Sequence, residues 1–433
     1  MKRVVITASL LAAVAVLALH TLAWCAAAVV VLKNLHPPPL QSACALGASA
    51  LLLRVIDGAS RRRRMIAMAA VLAAFGLATV AAPLDFQFAG NGFMGDGSDY
   101  SQNRDKFERN IPVAAGHPEI HFKSHLGDLF LAGVDRMFGR SDTSPATAYE
   151  MLSRLGGLLF LGELALVLVV LRGSRRACRF VGLALAIPLV IGFFGYYEVG
   201  YMAVSAAAFP LLLHSLRNRA QGQALDIGAG VQGLHTAFHG FGLLGIAGGA
   251  VAALRAPDRP VSTALRFSVF ALAGYLVWIL VYVVGLKLSV VSDPYSGHIA
   301  FRRLVMSYYF DRRFVHPLFS WHGVAEVGMA SLAIGVPLLV FALVRTQSRL
   351  ERHAAVLYAL PGLLFLIIWW PSAGVGRDMD LLLGAFAGTG AAAWLASRTP
   401  RTAFQGWVVL AFVHVMFWAV IADRTMERIW LAP

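Results

Sequence analysis

Charge is scarce in this chain. Only 14% of its 433 residues are Asp, Glu, Lys or Arg, against roughly a quarter in a soluble domain, and 58% are hydrophobic. Acid is scarcer than base, 23 Asp and Glu against 37 Lys and Arg, so the formal net charge is +14. Three cysteines, Cys25, Cys44 and Cys178, are too few for a disulfide framework. Each sits in or beside an apolar run and reads as a small hydrophobe. No glycine-rich phosphate loop follows a strand, which removes a soluble nucleotide site of that kind. Coiled-coil heptads and low-complexity tracts are missing as well. The positive surplus does not point to nucleic acid, because no basic stripe is interleaved with exposed aromatics.

Long apolar runs are what the chain has instead. Repeated stretches of about 17–25 apolar residues predict a polytopic α-helical membrane protein. The first covers about 4–32. Leu22-Ala23-Trp24-Cys25 has the outline of a lipoprotein cleavage box, but Trp24 stands where a small residue is needed and the run continues to Leu32. A first membrane helix is the better reading than a removed signal peptide. Further spans are expected near 40–56, 65–83, 151–171, 180–195, 198–213, 224–236, 238–254, 266–288, 323–344, 355–370, 380–396 and 404–421. Those at 198–213, 224–236 and 238–254 are short enough to dip or pair as re-entrant helices. The fold class is therefore all-α, a transmembrane bundle of about thirteen spans. Its divisions are two N-terminal helices over 1–65, a core over 66–290 and a C-terminal region over 291–433.

Arginines orient the bundle. Arg61-Arg62-Arg63-Arg64, Arg172 with Arg175, Arg176 and Arg179, Arg217 with Arg219, Arg255 with Arg259, Arg345 with Arg349 and Arg352, and Arg398 with Arg401 all fall in loops assigned to the cytoplasm. The loop at 84–150 carries six Lys or Arg against ten Asp or Glu and is assigned outside. The loop at 291–322 resists, since it holds Arg302, Arg303, Arg312 and Arg313 against Asp293 and Asp311. It is kept outside because the cytoplasmic loops on either side of it are basic.

Candidate chemistry gathers on the assigned outer side. Gly95-Asp96-Gly97-Ser98-Asp99-Tyr100 places two carboxylates among glycines at a membrane boundary. A carboxylate partly removed from water there suits a general base, with a simple Gly/Asp/Ser turn as the plain alternative. His117, His121 and His125 are spaced by four and would share one face if the segment were helical, with Glu119 and Lys123 beside them. Zinc is one reading of that set. However, the order is not His-Glu-x-x-His, and binding of a phosphate or sugar by Lys123 and the histidines is favoured. Glu198, His235, His239, His322 with Glu326, and Arg377, Asp378 and Asp380 lie at outer ends of apolar spans. Polar groups there are costly unless used or paired. One by one they read as satisfied caps or ion pairs; together they predict a convergent outer cavity.

In order, Gly95-Asp96-Gly97, His125, Gly195-Tyr196-Tyr197-Glu198, Leu234-His235-Thr236 and Arg377-Asp378-Met379-Asp380 resemble the GT-C type of integral-membrane glycosyltransferase. Within it they look like a poorly characterised bacterial and archaeal branch. The resemblance covers about 66–396, and it departs at Val199, where a second polar residue is expected, and at Met379, where an aromatic is usual. It implies transfer of a sugar, with inversion, from a polyprenyl-phosphate donor to a glycan, lipid or protein acceptor, at the periplasmic face of a bacterial inner membrane. Asp96 becomes the base, with Asp99 in reserve. Arg377, with Lys123 or the arginines of 302–313, would hold the departing phosphate. His125, His235 and His322 would bind sugar hydroxyls or phosphate. No cofactor is called for, with a divalent metal left open; partners are the donor, the acceptor and membrane lipid, and not nucleic acid. The alternatives are another lipid-linked transferase, such as an O-antigen ligase, or a transporter or flippase with its polar residues near mid-bilayer.

Overall fold

The structure is a computed structural model that describes residues 38–81, 103–138, 145–188, 205–218, 222–291, 331–332, 335–368 and 383–431. It is mainly helical. In chain order the helices are α1 (Pro38–Gly58), α2 (Arg61–Ala81), the short α3 (Arg104–Asn110) and α4 (Pro112–Ala115), α5 (His125–Met137), α6 (Ala146–Val170), α7 (Arg175–Leu185) and α8 (Ala208–Arg217). They continue with α9 (Gly222–Phe238), α10 (Gly242–Ala253), α11 (Pro260–Leu280), α12 (Val336–Arg345), α13 (Arg349–Ile368), α14 (Leu383–Ala396) and α15 (Pro400–Leu431). Two three-residue strands, β1 (Glu119–His121) and β2 (Ser289–Val291), pair in parallel with Glu119 opposite Ser289 and His121 opposite Val291.

Among the described residues, two helices are long and apolar enough to cross a bilayer. Ala146–Val170 has 25 residues, and α11 with its π-helical last turn runs 26 residues from Pro260 to Gly285. At 1.5 Å per residue both exceed a hydrocarbon core of about 30 Å. α11 begins with Pro260 in its first turn, where a missing N–H costs nothing. It buries Phe267, Ala271 and Tyr275 but leaves Val261, Leu265, Val269, Leu276 and Leu280 exposed, an outward apolar face that suits lipid. α10 and α12, at 12 and 10 residues, are too short to cross alone. The described residues thus do not establish thirteen spans.

The short pair expected at 224–254 folds as a helical hairpin. α9 and α10 pack back to back, with Gly242 against Thr236 and Gly245 against Gln232. Backbones come close because glycines remove the Cβ. A Cβ on Gly233 would overlap the Ala271 carbonyl, and one on Gly248 would overlap the carbonyl of Tyr358 in α13. Such small-residue crossings are the packing that membrane helices use when apolar burial gives no advantage over lipid.

The basic loops collect at one end of the bundle. There Arg179 donates to Asp57 at 2.6 and 3.0 Å, Arg176 to Glu351 at 2.9 and 3.3 Å, and Arg266 to Asp226 at 2.6 and 2.7 Å. At the other end, β1 lies against β2 and the Lys123 backbone lies against Gly240 in the turn between α9 and α10. β2 leads into the disputed loop at 291–322, so that loop begins at the same end as the segment 103–138. The arginines Arg302, Arg303, Arg312 and Arg313 themselves lie outside the described residues.

Candidate functional site

The end of the bundle away from the cluster of Arg176, Arg179 and Arg217 is organised by Asp128, in the first turn of α5. Its carboxylate accepts from the His121 backbone N–H at 2.9 Å and from the Ser124 hydroxyl at 2.8 Å, and it lies 2.9 Å from His121 Nδ1. These bonds turn the chain from β1 into α5 and hold both buried side chains in place.

His125 joins that turn to α11. Its ring is fully buried, with Nδ1 3.0 Å from the Phe122 carbonyl and Nε2 3.2 Å from the Tyr275 carbonyl. Tyr275 returns the link by donating its hydroxyl to the Phe122 carbonyl at 2.7 Å. The ring packs between Tyr275 and Tyr282, at centroid distances of 5.0 and 5.8 Å. Burial pushes its pKa down, against the pull of the two carbonyls and of Asp128. A neutral imidazole donates one proton, so it satisfies one carbonyl and approaches the other.

The shared helical face expected for His117, His121 and His125 is not formed. His117 lies in an exposed turn before Pro118, His121 is in β1, and His125 opens α5. Pairing of 119–121 with β2 extends the backbone where a helix would have stacked the rings. Among the described residues no three His, Cys, Asp or Glu side chains gather as a metal site. Lys123 and His117 keep exposed side chains, whereas His121 and His125 are occupied in holding the segment.

The hairpin tip supplies the second wall. Gly240 sits so close to the Lys123 backbone that a Cβ there would lie 3.4 Å from its carbonyl oxygen. His239 is half-buried one residue away and accepts at Nδ1 from the Phe241 N–H at 3.3 Å. Phe130 of α5 meets Phe238 of α9 at 5.3 Å between centroids. The exposed Lys123 and half-buried His239 therefore border the same edge.

One turn deeper, His235 is buried and meets a residue that sequence reasoning missed. Glu163, inside the apolar α6, approaches His235 Nε2 at 2.5 Å with Oε1 and accepts from the Ala206 N–H at 3.0 Å with Oε2. The His235 contact is close but lacks hydrogen-bond alignment, and His235 Nδ1 has no hydrogen-bond partner among the described residues. Gln232, on the same helix, donates to the Gly242 carbonyl at 3.0 Å and accepts from Tyr358 at 3.2 Å. The signal for Glu163 was its own position, a lone acid amid Leu161-Gly162-Glu163-Leu164, where an ionisable residue needs a partner.

Asp96, Asp99, Glu198, His322, Arg377, Asp378 and Asp380 lie outside the described residues. The structure therefore brings Lys123 and His239 to one edge and seats His235 beneath them.

No protein-family model matches the chain, and no characterised protein matches it by sequence. Among solved structures, the chain is similar to the Archaeoglobus fulgidus oligosaccharyltransferase tethered with an acceptor peptide containing the NVT sequon via a disulfide bond. The TM-score is 0.43 and the identity 14%, over 76% of this chain and 49% of that one. The chain thus spans about half of that enzyme's length.

Proposed function

We propose that this chain is a membrane-embedded glycosyltransferase. It moves a sugar from a polyprenyl-phosphate donor to an acceptor hydroxyl at the extracytoplasmic face of a bacterial cytoplasmic membrane. The observation that carries the reading is the meeting of two distant segments, 117–125 and 235–240, at the end of the bundle opposite the cluster of Arg176, Arg179 and Arg217. Positive charge retained inside makes the opposite end extracytoplasmic. In this reading Asp96 takes the proton from the acceptor, Asp99 stands in reserve, and Arg377 with Lys123 binds the departing phosphate. His117 and His239 bind donor or acceptor hydroxyls, and Glu198, His322, Asp378 and Asp380 complete the site. His121 and His125 position the loop.

The test is sugar transfer by the purified protein in nanodiscs, given a panel of labelled polyprenyl-phosphate sugars and cell-envelope acceptors. Transfer by the unaltered protein that drops by about a hundredfold or more in Asp96→Ala supports the assignment. Full activity in that variant removes Asp96 as the base.

A second reading rests on the Glu163–His235 pair, an ionisable couple buried between helices. Such pairs also mark ion or proton paths in transporters. Proteoliposomes separate the two: a solute or proton flux abolished by Glu163→Gln, with no sugar transfer from any donor, favours transport.

A further inference from the structure

At the arginine-rich end, a cavity of about 170 Å³ opens where the end of α6, the start of α7, the end of α8 and α14 meet. Arg176 and Arg217 form its cationic wall with Ser174, His214 and Trp394, and two leucines make the remainder apolar. Both guanidiniums reach one fully buried carboxylate, that of Glu351. Arg176 also stacks over Trp394, 4.3 Å from the ring centroid, and donates to its carbonyl at 3.1 Å. Arg176 Nε and Trp394 Nε1 are buried with no hydrogen-bond partner among the described residues. Ser174 caps α7 by accepting from the Ala177 N–H at 3.1 Å, so the positive end of that helix borders the same space.

The charges here do not cancel. Arg179 is paired with Asp57, and its remaining hydrogen bonds go to the carbonyls of Ser397 and Arg398. Among the residues lining the cavity, Arg176 and Arg217 share the single carboxylate of Glu351, leaving a surplus of one positive charge on its wall. The crowding registers on Arg176, whose pKa is lowered to about 9, first by burial and then by Arg398 and Arg179. Two guanidiniums sharing one carboxylate beside an open cavity leave positive charge that an anion can offset. The space equals about six waters at ~30 Å³ each and falls below the roughly 300 Å³ at which sites for drug-sized ligands begin.

We propose that this cavity binds a phosphate monoester group, presented either by a phosphatidate-type lipid headgroup or by a small soluble phosphate. A phosphomonoester carries about −1.5 to −2 at neutral pH and three acceptor oxygens, which suit a cationic wall whose lining offers the Arg176 and Arg217 guanidiniums, the His214 ring and the Ser174 hydroxyl. The site is separate from the histidine-bearing end and depends on no assumption about the reaction performed there.

The test uses the full chain in phosphatidylcholine nanodiscs. Inorganic phosphate is titrated against chloride at matched ionic strength, and in a parallel arm phosphatidate replaces part of the lipid. The expected result is a rise in Tm of about 3 °C or more in at least one arm at saturation. A response to phosphate identifies a soluble source, and a response to phosphatidate alone identifies a lipid one. Arg217→Gln, at a side chain 40% exposed, removes the response. His214→Leu keeps every arginine and weakens the response about tenfold, the loss of one contact to a charged group. The proposal is overturned if neither arm exceeds chloride, or if the response survives in both variants.

Discussion

Glu163 and His235 meet at 2.5 Å inside the bundle, and the same carboxylate accepts from the Ala206 N–H at 3.0 Å just before α8. One side chain of α6 therefore ties α9 and the entry to α8 together. Glu163→Ala strands both an imidazole and a backbone donor, and is expected to cost about 3–5 kcal/mol, the range for breaking a buried pair. Glu163→Gln keeps an oxygen for Ala206 and should cost nearer 1–2 kcal/mol, the scale of interhelical hydrogen bonds in membranes. Unfolding in detergent or bicelles measures both. Equal losses in the two variants would show that the charge, rather than the Ala206 bond, carries the effect.

Gly233 and Gly230 are three residues apart on α9 with opposite surroundings. A Cβ on Gly233 would overlap the Ala271 carbonyl of α11, whereas one on Gly230 meets nothing within 4 Å. Gly233→Ala must push α11 away and should destabilise by about 1–3 kcal/mol. Gly230→Ala should be neutral, or stabilising by up to about 1 kcal/mol through helix propensity. Thermal denaturation of the two variants gives the contrast directly, and similar values for both would mean that α9 and α11 cross loosely enough at Gly233 to admit a methyl group.

The two ends of the bundle were legible because arginine placement is a strong signal. Arg176, Arg179 and Arg217 meet Asp57 and Glu351 at one end, as their shared loop assignment requires. The long apolar runs behind α6 and α11 were equally plain. Three features were not. The pairing of β1 with β2 joins three-residue strands distant in the chain, too short to leave an alternating pattern. The spacing of His117, His121 and His125 suggested a face only on the premise of a helix, and strand pairing removed that premise. Glu163 sits in the middle of an apolar span, whereas its partner His235 sits at a span end, so polar residues at span ends mark only one half of the pair.

Tyr275 and Asp128 hold the 117–125 segment to the bundle in different ways. Tyr275→Phe loses one hydroxyl bond to the Phe122 carbonyl and should cost about 1 kcal/mol. Asp128→Ala leaves His121 N–H, His121 Nδ1 and Ser124 Oγ without their shared acceptor and should cost more, about 2–4 kcal/mol. Hydrogen exchange at 119–128 tests whether the loss is local: faster exchange there, with α9 and α10 unchanged, is the expected pattern. Uniform acceleration across the chain would assign Asp128 to global stability instead.

Acid should loosen the same segment through His125. Burial lowers its pKa in the folded protein, while the unfolded chain keeps a value near 6.5. Between those values the unfolded state binds more protons, so stability rises with pH there. Above about pH 6.5 the neutral ring costs nothing, and as pH falls through and below 6.5 stability is progressively lost. Three neighbours modify the slope. The Phe122 and Tyr275 carbonyls favour a doubly protonated ring, and Asp128 adds a favourable charge, so the loss is smaller than burial alone would give. His125→Gln retains a donor for one carbonyl but cannot titrate. The unaltered protein should therefore lose Tm between about pH 6.5 and 5, and His125→Gln should show a flatter acid limb over that interval. An identical slope in the two proteins would show that His125 does not carry the acid sensitivity.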